Sequence, residues 1–83
     1  MEKYYLLIFV NTQGALKAES FLKSKGFKIV IMPTPTHITQ SCGISIRLTE
    51  EEFLKTKEFI VNREIDIKHI YIKDEGKFRE IKL

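Results

Sequence analysis

Residues 33–44 read PTPTHITQSCGI, a stretch that holds both prolines, the only cysteine and His37, one of the two histidines of the chain. A thiol attacks as its thiolate, and a helix amino end nearby, with unpaired N–H groups and a partial positive charge, favours that form. Cys42 is therefore the candidate nucleophile, with His37 in the same stretch as a thiol activator, either base or cation. Backbone amides around Ser41 and Gly43 would hold an anionic sulfur, and Gly43 leaves no side-chain bulk beside the thiol. The bland alternative is that Cys42 is a small buried hydrophobe. His37 is then a surface hydrogen-bonder, and Thr34, Thr36, Thr39 and Ser41 only satisfy loop backbone.

Other chemistries find less support. One cysteine with two distant histidines falls short of the three or four ligands a metal needs. No glycine-rich phosphate loop is present, and no cofactor is expected. The segment NTQGA offers no arginine to hold a phosphate.

These side chains must be positioned by a small scaffold. The chain has 83 residues, enough for one domain over 1–83 with a single core. Its 14 Lys and Arg are spread among 11 acids, which leaves a net charge of +3 and a mixed solvated surface rather than one basic run. The opening MEKYYLLIFV is too short to span a bilayer and lacks a cleavage site, so a soluble, cytoplasmic protein is expected, with no membrane partner. A lone cysteine forms no internal disulfide and suits a reducing compartment.

YYLLIFV, residues 4–10, is apolar on both faces and reads as a central strand. TQGALKAESFLKSKG predicts a helix with Thr12 as N-cap, with Ala15, Ala18, Phe21 and Leu22 inward, and with Gly26 as its stop. FKIVIM, residues 27–32, predicts a second strand, ended by the prolines. Residues 43–48 alternate, with Ile44, Ile46 and Leu48 on one face and Ser45 and Arg47 on the other. Thr49 and Glu52 have capping-box spacing and open a second helix whose inner stripe reads Phe53, Lys57, Ile60 and Val61. Residues 66–73 predict a fourth strand, and 74–83, with Gly76 in a turn, an edge strand or a packed tail.

The order is α+β: a ferredoxin-like β-α-β-β-α-β two-layer sandwich with room for an extra C-terminal edge strand. In that topology Asn11, Thr12 and the first helix's amino end share one sheet edge with the Cys42 connection, and Asn62 and Arg63 approach it. Asn11, Thr12, Ser41 and Gly43 are thus the candidate binding residues for an anion such as an ionised sulfur.

Pro33-Thr34-Pro35 followed by Ser41-Cys42-Gly43, with Phe9, Thr12, Ala15, Leu16 and Glu19 at the strand-to-helix junction, resembles the selenium/sulfur carrier protein-like family of small bacterial proteins. The likeness runs over most of the chain, although Thr36-His37 stands where that family leads one to expect a basic residue. The resemblance implies a carrier whose Cys42 accepts sulfur or selenium as a persulfide or perselenide. It also implies a cysteine desulfurase or selenocysteine lyase as donor and an acceptor protein downstream.

A different reading is a small-molecule-binding or regulatory homodimeric module in which Cys42 is structural. It rests on the first strand, because a two-layer fold covers one sheet face and leaves the other for a second copy or a tail. A third is RNA binding on the sheet; the third strand presents Ser45 and Arg47 where an aromatic platform is needed, so nucleic acid is not expected.

Overall fold

The structure, a computed structural model, describes residues 3–34 and 43–82. Along the chain stand β1 (Tyr4–Ile8), α1 (Thr12–Ser24), β2 (Val30–Pro33), β3 (Ile44–Leu48), α2 (Glu50–Val61), β4 (His69–Asp74) and β5 (Lys77–Ile81). They form an α+β domain with a five-stranded sheet in the order β2-β3-β1-β4-β5, each neighbouring pair antiparallel.

Strand alternation divides β1 between two faces. Tyr5, Leu7 and Phe9 join the core with Ile46, Leu48, Ile70 and Ile72, and both helices pack there through Ala15, Ala18, Leu22 and Phe53. The two alanines bring α1 close to the sheet. On α2, Phe53 stacks on Tyr5 with ring centroids 4.1 Å apart and planes 1° from parallel. Phe59 closes the gap between the helices, edge-on to Phe21 at 5.2 Å.

That stack sets the rotation of α2, and the expected inner stripe moves with it. Thr56, three residues after Phe53, is fully buried where Lys57 was expected, while Lys57 and Val61 face solvent. A spacing of three and of four both fit a helical stripe, and the apolar stem of a lysine hid the choice. Thr56 Oγ1 is left without a hydrogen-bond partner in this position.

Leu6 and Ile8, on the helix-free face, are also fully buried within the single chain. Arg47 and Tyr71 flank Leu6 in the register, and His69 pairs with Ile8. The C-terminal segment does not lie across this face but adds β5 at the edge. Its hairpin turns at Glu75 and Gly76, with φ of +53° and +79°, the left-handed pair that a two-residue turn needs.

At the opposite edge, the Thr34 N–H donates to the Gly43 carbonyl at 3.2 Å, which makes 34/43 a hydrogen-bonded pair of the β2–β3 ladder. Alternation then turns the backbone of Ile31 and Pro33 away from β3, toward solvent. Pro33 thus ends an edge strand at the one kind of position where a missing N–H is harmless, and it blocks further pairing there.

Thr56→Val keeps the shape of the side chain and removes the unpaired hydroxyl, so urea unfolding should show a gain of about 1 kcal/mol. Phe53→Ala should cost about 3 to 5 kcal/mol in the same assay, through the lost stack and the cavity beneath it.

Candidate functional site

The edge of interest is the one where β1 and β2 end. Both run antiparallel to β3, so their carboxyl ends lie together, and β3 and β4 begin there. Leu7 pairs with Ile46, which puts Gly43 and the Phe9–Val10 corner at neighbouring strand ends. His37, Ser41 and Cys42 lie outside the described residues. The residues that close their connection are Thr34 and Gly43, and both are placed by the β2–β3 register.

Asn11 rather than Thr12 is the N-cap of α1. Its backbone is extended, with φ −153°, and its Oδ1 accepts the Gly14 N–H at 2.9 Å. Asn and Thr are both good caps and stand side by side, so composition alone could not choose between them. Thr12 becomes the first helical residue and is exposed. The Asn11 carboxamide oxygen is thereby engaged in holding the helix end.

Thr34 and Ser45 were read as a loop hydroxyl and a solvent-facing strand residue. Both are buried, and their hydroxyls hydrogen-bond to each other beneath the base of the connection. A pairing across eleven residues is set by strand register, and no local signal announces it. Gly43, by contrast, is exposed, has no positive φ, and a Cβ added to it would meet nothing within 4 Å among the described residues. Among the described residues nothing there demands glycine.

The end of α2 reaches the same edge, as expected for Asn62 and Arg63. The Lys68 N–H donates to the Ile8 carbonyl at 2.8 Å, which ties the α2–β4 connection to the end of β1. Arg63, Glu64 and Asp66 face Val10, Asn11, Gly14 and Leu16 across a shallow groove of about 950 Å³. Thr12 is not part of its lining.

The left-handed backbone of Arg63 is what sequence reasoning could not foresee. The helix closes with the Arg63 N–H on the Ile60 carbonyl and the Glu64 N–H on the Phe59 carbonyl, with Arg63 at φ +60°. Helix α1 closes in the same pattern, Gly26 to Lys23 and Phe27 to Leu22, with Gly26 at φ +87°. Glycine is the usual occupant of that conformation, so Gly26 was legible and Arg63 was not. Among the described residues no group of three or more His, Cys, Asp or Glu could hold a metal ion, and no helix is long and apolar enough to cross a membrane.

What these elements define is a small α+β domain with a hydrogen-bonded β2–β3 base that carries a cysteine-containing connection at one sheet edge. The chain belongs to the family described as "Putative Se/S carrier protein-like", which matches residues 4–72, from β1 into β4 and across the Cys42 connection. The match stops short of β5. The chain is also similar to an uncharacterised protein of Methanocaldococcus jannaschii, 38% identical over 61 residues. That alignment covers 74% of this chain and 28% of the longer relative, so the chain spans little more than a quarter of it. No solved structure matches the chain.

The geometry separates two roles that sequence reasoning grouped together. Asn11→Ala should cost about 1 kcal/mol of stability by removing the cap, and Gly43→Ala should stay within about 0.5 kcal/mol of the parent, both read by urea denaturation. Arg63→Gly should raise stability by roughly 1 kcal/mol in the same series by relieving the left-handed arginine.

Proposed function

We propose that this protein is a sulfur or selenium carrier that works through Cys42. The observation that carries the reading is the family membership over residues 4–72, which includes the chain's only cysteine. The exposed, conformationally undemanding Gly43 next to it in sequence supports the reading, since a partner's sulfur must approach the thiol closely. We read the β1-to-β4 arrangement in the same proposal as a ferredoxin-like split βαβ unit, with β1 between β3 and β4, β2 outside β3, and β5 as an addition.

In the transfer step the Cys42 thiolate attacks the terminal sulfur of a donor persulfide. A bond forms between Cys42 Sγ and that sulfur, the donor's S–S bond breaks, and its electron pair leaves with the donor thiolate. No external oxidant or reductant enters, because a sulfur atom has moved between two thiolates. A perselenide forms by the same displacement at the terminal selenium of a donor perselenide, whose S–Se bond breaks as the donor thiolate leaves. Transfer to the acceptor protein repeats the step in the other direction. His37 acts as the group that draws the proton from the thiol, and Ser41, Gly43, Asn11 and Thr12 supply backbone and side-chain polarity around the anionic product. The donor is a cysteine desulfurase or a selenocysteine lyase, and the reaction requires no cofactor on this chain. A homodimer and a cytoplasmic setting belong to the same reading.

Incubation with a cysteine desulfurase and cysteine, and separately with a small-molecule persulfide, is expected to add the mass of one sulfur atom to the intact protein. Dithiothreitol should remove it, and Cys42→Ser should never acquire it. A wild-type chain that gains no sulfur from either source would leave Cys42 a packing residue. His37→Ala should slow loading from the small persulfide about 10- to 100-fold near neutral pH without changing the final mass.

A further inference from the structure

The groove between α1 and the α2–β4 connection is a feature that the sulfur-transfer step does not use. Its α1 wall presents Gln13, Leu16, Lys17 and Ser20, spaced by three and four residues and so on one face of the helix. All four are exposed. Val10 and Leu16, both in the lining, are 55% and 49% exposed and are two of the five large hydrophobic residues open to solvent among the described residues. Ala18 and Ile65 also line it and are buried, so the base of the groove is apolar.

Charge divides between the two walls. On α1 the charged lining residue is Lys17, whereas the connection carries Arg63, Glu64 and Asp66, one positive charge against two negative. The ion pairs of the described residues lie elsewhere, at Lys3–Glu50, Glu19–Lys23, Glu51–Lys55 and His69–Glu80. Both signs in the groove therefore lack an ion-pair partner among the described residues. The helix-free sheet face, where a second copy was expected, gives less reason for association, because Leu6 and Ile8 at its centre are already buried within the single chain.

A groove with a basic helix on one side and a net-acidic wall on the other is complementary to itself. We propose that a second copy of this chain fills it, in a twofold dimer in which α1 of each protomer lies in the groove of the other. Lys17 then faces the partner's Glu64 and Asp66, and the Val10 and Leu16 side chains of both copies leave water together. Each contact occurs twice, as a twofold requires. A helix ridge seated in a groove is the ordinary way helices pack, and Gly14 and Ser20 keep this ridge low. A small molecule would find a wide, shallow trough here rather than an enclosed pocket. The inference gives the homodimer of the carrier reading a surface, but it stands on the groove and not on sulfur chemistry. The thirteen lining residues are fewer than the roughly 20–30 a side of a standard interface, which sets the dimer at the weak end.

Sedimentation equilibrium of the full chain from about 5 µM to about 1 mM tests the proposal, with Kd expected between about 10 µM and about 100 µM. Lys17→Glu and Asp66→Lys should each weaken dimerisation about tenfold, since both symmetry-related pairs become repulsive. An equimolar mixture of the two variants should recover the parental affinity, because each mixed dimer holds one native and one reversed pair. Leu16→Ala should weaken association about tenfold through apolar burial lost twice. Leu54→Ala, exposed on α2 outside the groove, should associate as the parent does. Cys42→Ser should do the same, which excludes an intermolecular disulfide as the link and keeps this test separate from sulfur loading. A chain that stays monomeric to about 1 mM would overturn the proposal and leave the groove to a partner of another sequence. So would a folded Leu16→Ala that dimerises unchanged, or charge variants whose mixture recovers nothing.

Discussion

The pairing of β1 with β3 on one side and β4 on the other is the constraint from which the rest of the domain follows. It turns Tyr5, Leu7 and Phe9 toward the helices and Tyr4, Leu6 and Ile8 away from them, and a shift of one residue would exchange the two sets. Burying each large apolar side chain stabilises the fold by roughly 1.5–3 kcal/mol, so such a slip would cost several times the energy of any single contact at the edges. The antiparallel sense of those pairings also decides which connections meet. It gathers the ends of β1 and β2 and the starts of β3 and β4 at a single edge, well away from the β4–β5 turn.

The two helix ends at that edge are held by different means. Helix α1 begins there through Asn11, whose side chain satisfies one of the N–H groups that a helix start leaves open. Helix α2 ends there in a closing motif that puts Arg63 where glycine is the easier choice, at a cost of order 1 kcal/mol. The Lys68–Ile8 hydrogen bond then docks the α2–β4 connection on the end of β1. The groove between Asn11 and Arg63 is thus built from capped and tethered backbone, while its polar side chains remain at the surface.

Much of the element order was legible because strong local signals agreed with the tertiary result. The unbroken apolar run of β1, the Thr49–Glu52 capping box, Gly26 in the left-handed region and Gly76 in the hairpin turn each have a single physical reading. What escaped was set by contacts between distant residues. The burial of Ser45 and its bond to Thr34 depend on the β2–β3 register, and the choice of Thr56 over Lys57 depends on the stack of Phe53 on Tyr5. Asn11 took the cap from Thr12 because two equivalent residues were adjacent. At the candidate site, Cys42 was singled out by its rarity. The base beneath it, Thr34, Ser45 and Gly43, became visible only with the sheet.

That base bears on how a carrier of this size would work. In the carrier role proposed above, a thiol that exchanges sulfur with a donor and an acceptor calls for a connection whose ends are fixed and whose neighbour is small. Thr34 and Gly43 fix the ends through one backbone hydrogen bond, the buried Thr34–Ser45 pair anchors the same point from the helix-free side, and Gly43 supplies the small neighbour with no described residue close enough to demand it. Ser45 shares its strand face with Arg47, two residues away, so the anchor of the connection's described ends belongs to the helix-free face of the sheet.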